Sequence, residues 1–312
     1  MPASLQLVFC GTPHFAVPTL EILVQAGFNV SLVVTQPDRP KGRGLEVVPS
    51  PVKQSAMRMR LPVAQPETIK KNEEFRAQLT SLKPDAIIVV GYGRIVPPWM
   101  LDLPPLGNIN LHASLLPKYR GAAPIQWAIA RGETLTGVTT MKIDAGLDTG
   151  DILLQTQIPI ALHDTSETLS PQLAAVGAKL TVETLRGLEN GTLHPRPQDD
   201  SQATLAPILK KEDGLIDFSR SASEILNRLR GFQPWPGAYS KFRDKGLHVS
   251  QAVIFERPLA PSQLQVEGDH LLVGCAQGTT LRLLELQVEG KKRSSAADFI
   301  RGYRPESGER LG

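Results

Sequence analysis

The stretch "NLHASLLPKYRGAAP", residues 110–124, places an Asn and a His two residues apart at the end of an apolar run and then turns away through Ser, Pro and Gly. Side chains two apart in a strand share one face, so Asn110 and His112 are expected together on one face of a strand tip. The strand they end, "GNINLHA" (107–113), is one of a series. "LQLVFCG" (5–11), "NVSLVVT" (29–35), "DAIIVVGYG" (85–93), "GVTTMKI" (137–143) and "DILLQTQIPI" (151–160) are further apolar, β-branched runs. Between them lie helical patterns: "AVPTLEILVQAG" ending at Gly27, "ETIKKNEEFRAQLTSLK" (67–83), and a long closing helix through "SETLSPQLAAVGAKLTVETLRGLENG". Continuous apolar strands alternating with helices predict an α/β fold with a mostly parallel sheet covered on both faces. In such sheets ligands sit outside the carboxyl ends of the strands, where Asn110 and His112 fall.

The texture changes after about residue 205. A short helical pattern, "SASEILNRLRGF", precedes "QPWPGAYSKF" and then short strand-like pieces, "GLHVSQAVIFE", "HLLVGCAQG" and "TTLRLLELQVEG". Short strands separated by Gly turns predict a small β-barrel or sandwich. The expected organisation is a catalytic domain over 1–193, a linker over 194–206 ("HPRPQDDSQAT" at its heart), and a second domain over 207–312. A chain of 312 residues accommodates two such cores.

Composition removes several function classes. Apolar residues are 41% and charged residues 21%, ordinary for a water-soluble globular protein. The apolar runs are too short to span a bilayer, and the N-terminus lacks the basic and extended apolar regions of a secretory signal. Cys10 and Cys275 stand alone in apolar surroundings; they make neither a disulfide framework nor a zinc site. A reducing cytoplasm and a monomer are the expectations. The net charge of +3 is unevenly spread: 18 basic against 18 acidic residues over 1–203, but 16 against 13 over 204–312. The basic excess of the last third hints at an anionic partner.

The residue types at the strand tip suit acyl transfer. A neutral imidazole accepts a proton near pH 7, and a carboxamide NH₂ donates to an oxygen gaining negative charge. The missing part is a carboxylate that orients the ring. "DAGLDTGDI" offers Asp144, Asp148 and Asp151 in a Gly-rich loop between two strands. His14 reads as part of the first strand–helix turn, and His163, His194, His248 and His270 as surface or loop residues. No His/Cys/carboxylate cluster has metal-ligand spacing, so no metal is expected. There is no G-x-G-x-x-G or Walker A pattern, so neither a dinucleotide nor ATP is implied.

Taken together, "NLHASLLPKYRGAAPIQWAI" and "TGVTTMKIDAGLDTGDIL" resemble the folate-dependent formyltransferases, whose signature is an Asn-x-His, a following Ser-Leu-Leu-Pro, and the Asp of Leu-Asp-Thr-Gly. The resemblance implies a Rossmann-like formyltransferase domain, with Asn110, His112 and Asp148 catalytic and 10-formyltetrahydrofolate as co-substrate. "FCGTPHFAVPTLEIL", "TQPDRPKGRGLEVVPSPVK" and "FQPWPGAYSKF" are similar to the branch that formylates charged initiator methionyl-tRNA. The resemblance runs nearly end to end, and implies that the C-terminal barrel is OB-fold-like and binds tRNA.

The same resemblance places the folate along the segment from Val90 to Val96, with Val90, Gly91, Tyr92 and Gly93 at its start, along the loop from Ile143 to Asp148, and beside Ser114, Leu115, Leu116 and Pro117. Arg39, Lys41 and Arg43, among Pro and Gly, are candidate phosphate contacts to the acceptor stem, with Lys291, Lys292 and Arg293 as a second basic group. Formyl transfer to a sugar-nucleotide amine or to glycinamide ribonucleotide is the competing expectation.

Overall fold

The computed structural model describes residues 5–41 and 46–312, with the side chains of Lys41 and Glu46 excepted. Two compact units emerge. The first comprises residues 1–121, 136–159 and 170–206, and the second 122–135, 160–169 and 207–312.

The first unit is built on a seven-stranded sheet. Its strands are β1 (Gln6–Gly11), β2 (Asn29–Val34), β5 (Val63–Ala64), β6 (Ala86–Val90), β7 (Asn108–His112), β8 (Leu135–Lys142) and β9 (Ile152–Pro159), in the order β5-β2-β1-β6-β7-β8-β9. Pairings from β5 to β7 are parallel, and β8 joins β7 antiparallel. A short antiparallel hairpin, β3 (Arg39–Lys41) with β4 (Glu46–Val48), stands off the sheet. The helices are α1 (Val17–Gln25), α2 (Pro51–Arg58), α3 (Glu73–Leu82), the single turn α4 (Pro98–Leu101), and most of α6 (Ser166–Glu189).

Strand burial follows the period-two logic on two covered faces. Val8, Cys10, Leu32, Val34, Ile87 and Val89 join Phe75 and Leu79 of α3 in one apolar cluster. Leu7, Phe9, Val33 and Ile88, their neighbours on the other face, are equally buried. The expected helix over 67–83 begins later, because the Asn72 side chain accepts from Phe75 N–H and caps the helix there. Chain order runs from β1 to one side (β2, β5) and then to the other (β6, β7), so the topological switch lies at the carboxyl ends of β1 and β6.

The second unit holds antiparallel strands β10 (Ala238–Phe242), β11 (Lys245–Phe255), β12 (Leu264–Glu267), β13 (His270–Gly274) and β14 (Thr280–Val288), ordered β10-β11-β14-β13-β12, with β15 (Ser294–Ser295) on β14. The last residues tie the two edges: Leu311 bridges to Phe242 and Arg310 to Gln263, so the sheet becomes barrel-like. Helices α7 (Ala222–Gly231) and α8 (Ala296–Tyr303) plug it with Ile225, Leu229 and Phe299. Ser221 and Glu224 form a capping box at the start of α7.

Three stretches differ from the sequence reading, because 122–135 and 160–169 group with the second unit and 194–206 with the first. Helix α5 (Pro124–Ala130) belongs with the second unit, where Trp127 packs edge-on against Phe232 at 5.2 Å between ring centroids. Residues 194–206, expected as a linker, run along the first unit instead. Arg196 pairs with Ile152, and Thr204 and Ala206 hydrogen-bond the backbone of Arg120.

Candidate active site

Strand β7 presents Asn108, Asn110 and His112 on one face and Ile109 and Leu111 on the other. Asn108 is taken up structurally, donating to the carbonyls of Met100 and Leu101. Leu111 packs on the glycine gap at Gly177 of α6. Asn110 and His112 therefore stand at the carboxyl end, with Asn110 half-buried and His112 6% exposed.

Asp148 reaches them from the loop between β8 and β9. Its Oδ1 lies 3.5 Å from Asn110 Nδ2 and its Oδ2 3.6 Å from His112 Nδ1. The carboxylate thus stands between amide and ring at the long limit of hydrogen bonding. It is fixed elsewhere: Oδ2 accepts the Gly121 N–H at 2.9 Å. His112 Nε2 lies 2.9 Å from the Tyr119 carbonyl. A carbonyl only accepts, so Nε2 carries a proton, and Nδ1 is the nitrogen turned to Asp148. Of the three loop aspartates, Asp144 instead organises its own turn, accepting from Gly146 N–H and Thr149 Oγ1. Asp151 gives its backbone carbonyl to Lys142 N–H.

The Ser-Leu-Leu-Pro segment braces the site. Ser114 is fully buried and donates to the Lys118 carbonyl at 2.6 Å. Thr139 Oγ1 donates to the Ser114 carbonyl, accepts from Leu116 N–H, and meets Gln155 Nε2. Leu116 is buried with Met141 and Ile152, and Leu115 lies over Gly137. Ser114 and Leu116 are buried in these contacts, while Leu115 and Pro117 are half-buried.

Residues 90–96 behave similarly. Val90 is buried, and the Tyr92 ring sits in the core beside Cys10 and Met100. Burial pushes the Tyr92 hydroxyl's pKa up, and that hydroxyl has no hydrogen-bond partner among the described residues. Gly91 and Gly93, with φ of +56° and +77°, make the turn and leave exposed backbone. The Tyr92 carbonyl accepts from Gln36 Nε2 and Thr12 Oγ1, and Arg94 holds the Gln36 side chain from behind. Val96 and Ile143, both partly buried against the same cluster, bring the two segments expected to flank the folate onto one apolar base.

The basic residues lie elsewhere. Arg39 is exposed and Lys41 ends β3, while Arg43 falls outside the described residues. The foot of this hairpin is fixed by a polar cluster. Lys53 Nζ bonds Asp38 and Gln65 Oε1, and Gln65 Nε2 donates to Asp38 Oδ1 and the Gln36 carbonyl. The Lys53 hydrogen bond holds the Asp38 carboxyl below its ordinary pKa. In the second unit, Lys291, Lys292 and Arg293 are exposed in the turn between β14 and β15, with Arg293 3.6 Å from Glu285. Among the described residues no group of His, Cys and carboxylates could hold a metal ion, and no helix is long and apolar enough to cross a membrane.

Sequence reasoning missed Tyr119, Gly121, Arg120 and Gln198, which bond the site residues or their loop. Most of these bonds involve backbone atoms, which residue type does not mark.

Two family models match the chain: "Formyl transferase" over residues 5–185 and "Formyl transferase, C-terminal domain" over 208–304. The chain is 67% identical over 306 residues to a methionyl-tRNA formyltransferase of Koribacter versatilis, covering 98% of each. It is 60% identical over 310 residues to a methionyl-tRNA formyltransferase of Acidobacterium capsulatum, covering 99% of this chain and 100% of that one. Among solved structures, an N-formyltransferase from Helicobacter canadensis, in complex with folinic acid and dTDP-3-aminofucose, aligns with a TM-score of 0.66 at 20% identity, covering 89% of this chain and 98% of that one. At that identity the likeness speaks to the fold.

Proposed function

The chain belongs to the formyl transferase family, and on that footing we propose that it transfers a formyl group from 10-formyltetrahydrofolate to the α-amine of methionine on charged initiator tRNA. The observation that carries the chemistry is the convergence of Asn110 Nδ2 and His112 Nδ1 on the Asp148 carboxylate at the carboxyl edge of the sheet. Full-length relatives named for this reaction favour the methionyl-tRNA acceptor over smaller amines.

The residues divide the work. The uncharged amine attacks the formyl carbon, and the carbonyl oxygen gains negative charge as the carbon becomes tetrahedral. Asn110 Nδ2 donates to that oxygen, and a His112 protonated at Nδ1 adds a second donor. Asp148 holds the ring by charge and helps move a proton from the attacking nitrogen to the departing folate nitrogen. The folate is consumed as a substrate. It is proposed to lie across the exposed backbone of Gly91 and Gly93 and the apolar base at Val96 and Ile143.

Formylation of charged initiator tRNA, of a 3-amino sugar nucleotide and of glycinamide ribonucleotide, each with 10-formyltetrahydrofolate, tests the acceptor. Transfer to the tRNA alone supports the proposal. Preferred transfer to either small amine refutes it.

Asp148→Asn keeps the shape of the side chain and its Gly121 contact but removes the charge that faces His112. Turnover is expected to fall by about 10–100-fold with little change in KM for the folate, and the acidic limb of the pH–rate profile is expected to move. An unchanged rate and an unchanged limb would remove Asp148 from the mechanism.

The acceptor stem is proposed to meet Arg39, Lys41 and Arg43, with Lys291, Lys292 and Arg293 as further phosphate contacts. Arg43→Ala is expected to raise KM for charged tRNA by about tenfold or more, in line with a lost guanidinium contact, and to leave folate KM intact. Arg43→Lys recovers only part, because the ammonium lacks the planar fork. Equal kinetics for all three proteins would make the loop a solvated one.

A further inference from the structure

We propose that Gln198 is a positioning residue for formyl transfer, acting through Asp148, with Arg120 setting the direction in which its carboxamide points. The proposal rests on Asp148 belonging to the transfer site.

Asp148 has φ +52°, a left-handed conformation that a side chain with a Cβ adopts at some cost. Something must hold it there. Asp144 accepts from Gly146 N–H and Thr149 Oγ1, contacts that close the loop on either side of Asp148. The backbone carbonyls of Asp148 and Gly150 are held by Gln198, whose Nε2 donates to them at 2.9 Å and 2.7 Å. One amide group thus grips the backbone at the carboxylate and two residues beyond it.

The orientation of that amide has a single satisfied solution. Arg120, 7% exposed, places Nε at 3.0 Å and Nη2 at 2.7 Å from Gln198 Oε1. A guanidinium only donates and carbonyls only accept, so Oε1 must face Arg120 and Nε2 must face the loop. Arg120 is itself anchored by Asp200 Oδ1 at 2.7 Å and by backbone bonds to Thr204 and Ala206. Gly121, the next residue, donates directly to Asp148 Oδ2. Backbone and carboxylate of Asp148 are therefore both set from the 119–121 turn, once through Gln198 and once directly. Asp148 only approaches Asn110 and His112, so small displacements of its loop change the distances that matter.

Two substitutions test this. Gln198→Glu keeps an oxygen for Arg120 but turns an acceptor against two carbonyls, and Gln198→Met keeps the length without any hydrogen bond. With charged initiator tRNA and 10-formyltetrahydrofolate at saturation, each is expected to lower kcat about 10–100-fold, the scale of an ångström-sized misplacement. KM for the folate should stay within about threefold. In an Asp148→Asn background the same substitutions should change kcat by less than about threefold, because their effect passes through that carboxylate. The proposal is overturned by an unchanged kcat in folded Gln198→Glu or Gln198→Met protein, by equal losses in both backgrounds, or by a rise in KM alone. If Asp148→Asn by itself leaves kcat intact, the assignment of Asp148 fails first, and the role of Gln198 falls with it. Thermal melting checks folding, and Gln198→Glu, which retains its Arg120 bond, carries the test if Gln198→Met is unstable.

Discussion

Replacement of His112 by alanine is expected to lower turnover on charged tRNA by roughly two to four orders of magnitude, the range of a lost acid–base group. The ring does two things that no neighbour can take over. Nδ1 faces the Asp148 carboxylate at 3.6 Å, and Nε2 donates to the Tyr119 carbonyl. Loss of the ring removes the cationic donor proposed for the developing oxyanion and leaves Asp148 without the group it orients. It also removes one hydrogen bond from the Tyr119 carbonyl, a stability cost of about 1 kcal/mol. The fall in rate should therefore appear in protein that still melts cooperatively, at a somewhat lower temperature. Near-normal turnover in folded His112→Ala would remove the ring from the chemistry.

Asn110→Ala is expected to cost about 10²–10³ in kcat, the scale of one lost oxyanion donor. Here the structural penalty is smaller. Asn110 is half-buried, and the only hydrogen bond of its side chain among those described is the 3.5 Å approach to Asp148. An amide held this loosely contributes little to folding, so a melting temperature close to that of the unmodified protein should accompany the loss. Asn110→Asp is the sharper comparison: the shape is kept, but an acceptor faces both the developing oxyanion and the neighbouring carboxylate. It should be at least as inactive as the alanine variant. A fully active Asn110→Asp protein would contradict donation from this position.

Much of the first unit was legible because burial on both faces leaves continuous apolar runs. The strands at Gln6–Gly11 and Asn29–Val34 fall within a residue of where their β-branched stretches put them, and Ala86–Val90 lies inside the run over 85–93, cut short by the turn at Gly91. The pairing of Asn110 with His112 followed from period-two alternation alone. Asp148 did not: three aspartates share its loop, and only the resemblance singled one out. Their backbone geometry separates them, with Asp144 closing its own turn and Asp148 projecting from a left-handed residue. Gln198 was hidden by composition. Its Pro-rich, polar surroundings read as a linker, yet its partners are carbonyls and a guanidinium brought together only by the fold. Helix α5 was missed for a related reason, since apolar spacing at Ile125, Ala128 and Ile129 shows that a face is buried but not which core receives it.

The most direct test is single-turnover transfer of labelled formyl from 10-formyltetrahydrofolate to charged initiator tRNA, with protein in excess over tRNA so that product release does not contribute. The unmodified protein should convert the tRNA in one fast exponential. His112→Ala and Asn110→Ala should reach the same amplitude with rate constants lower by at least about 100-fold, at protein concentrations that saturate the tRNA. Unchanged rate constants in both variants would contradict the proposed chemistry, and absence of transfer to the tRNA by the unmodified protein would contradict the proposed acceptor.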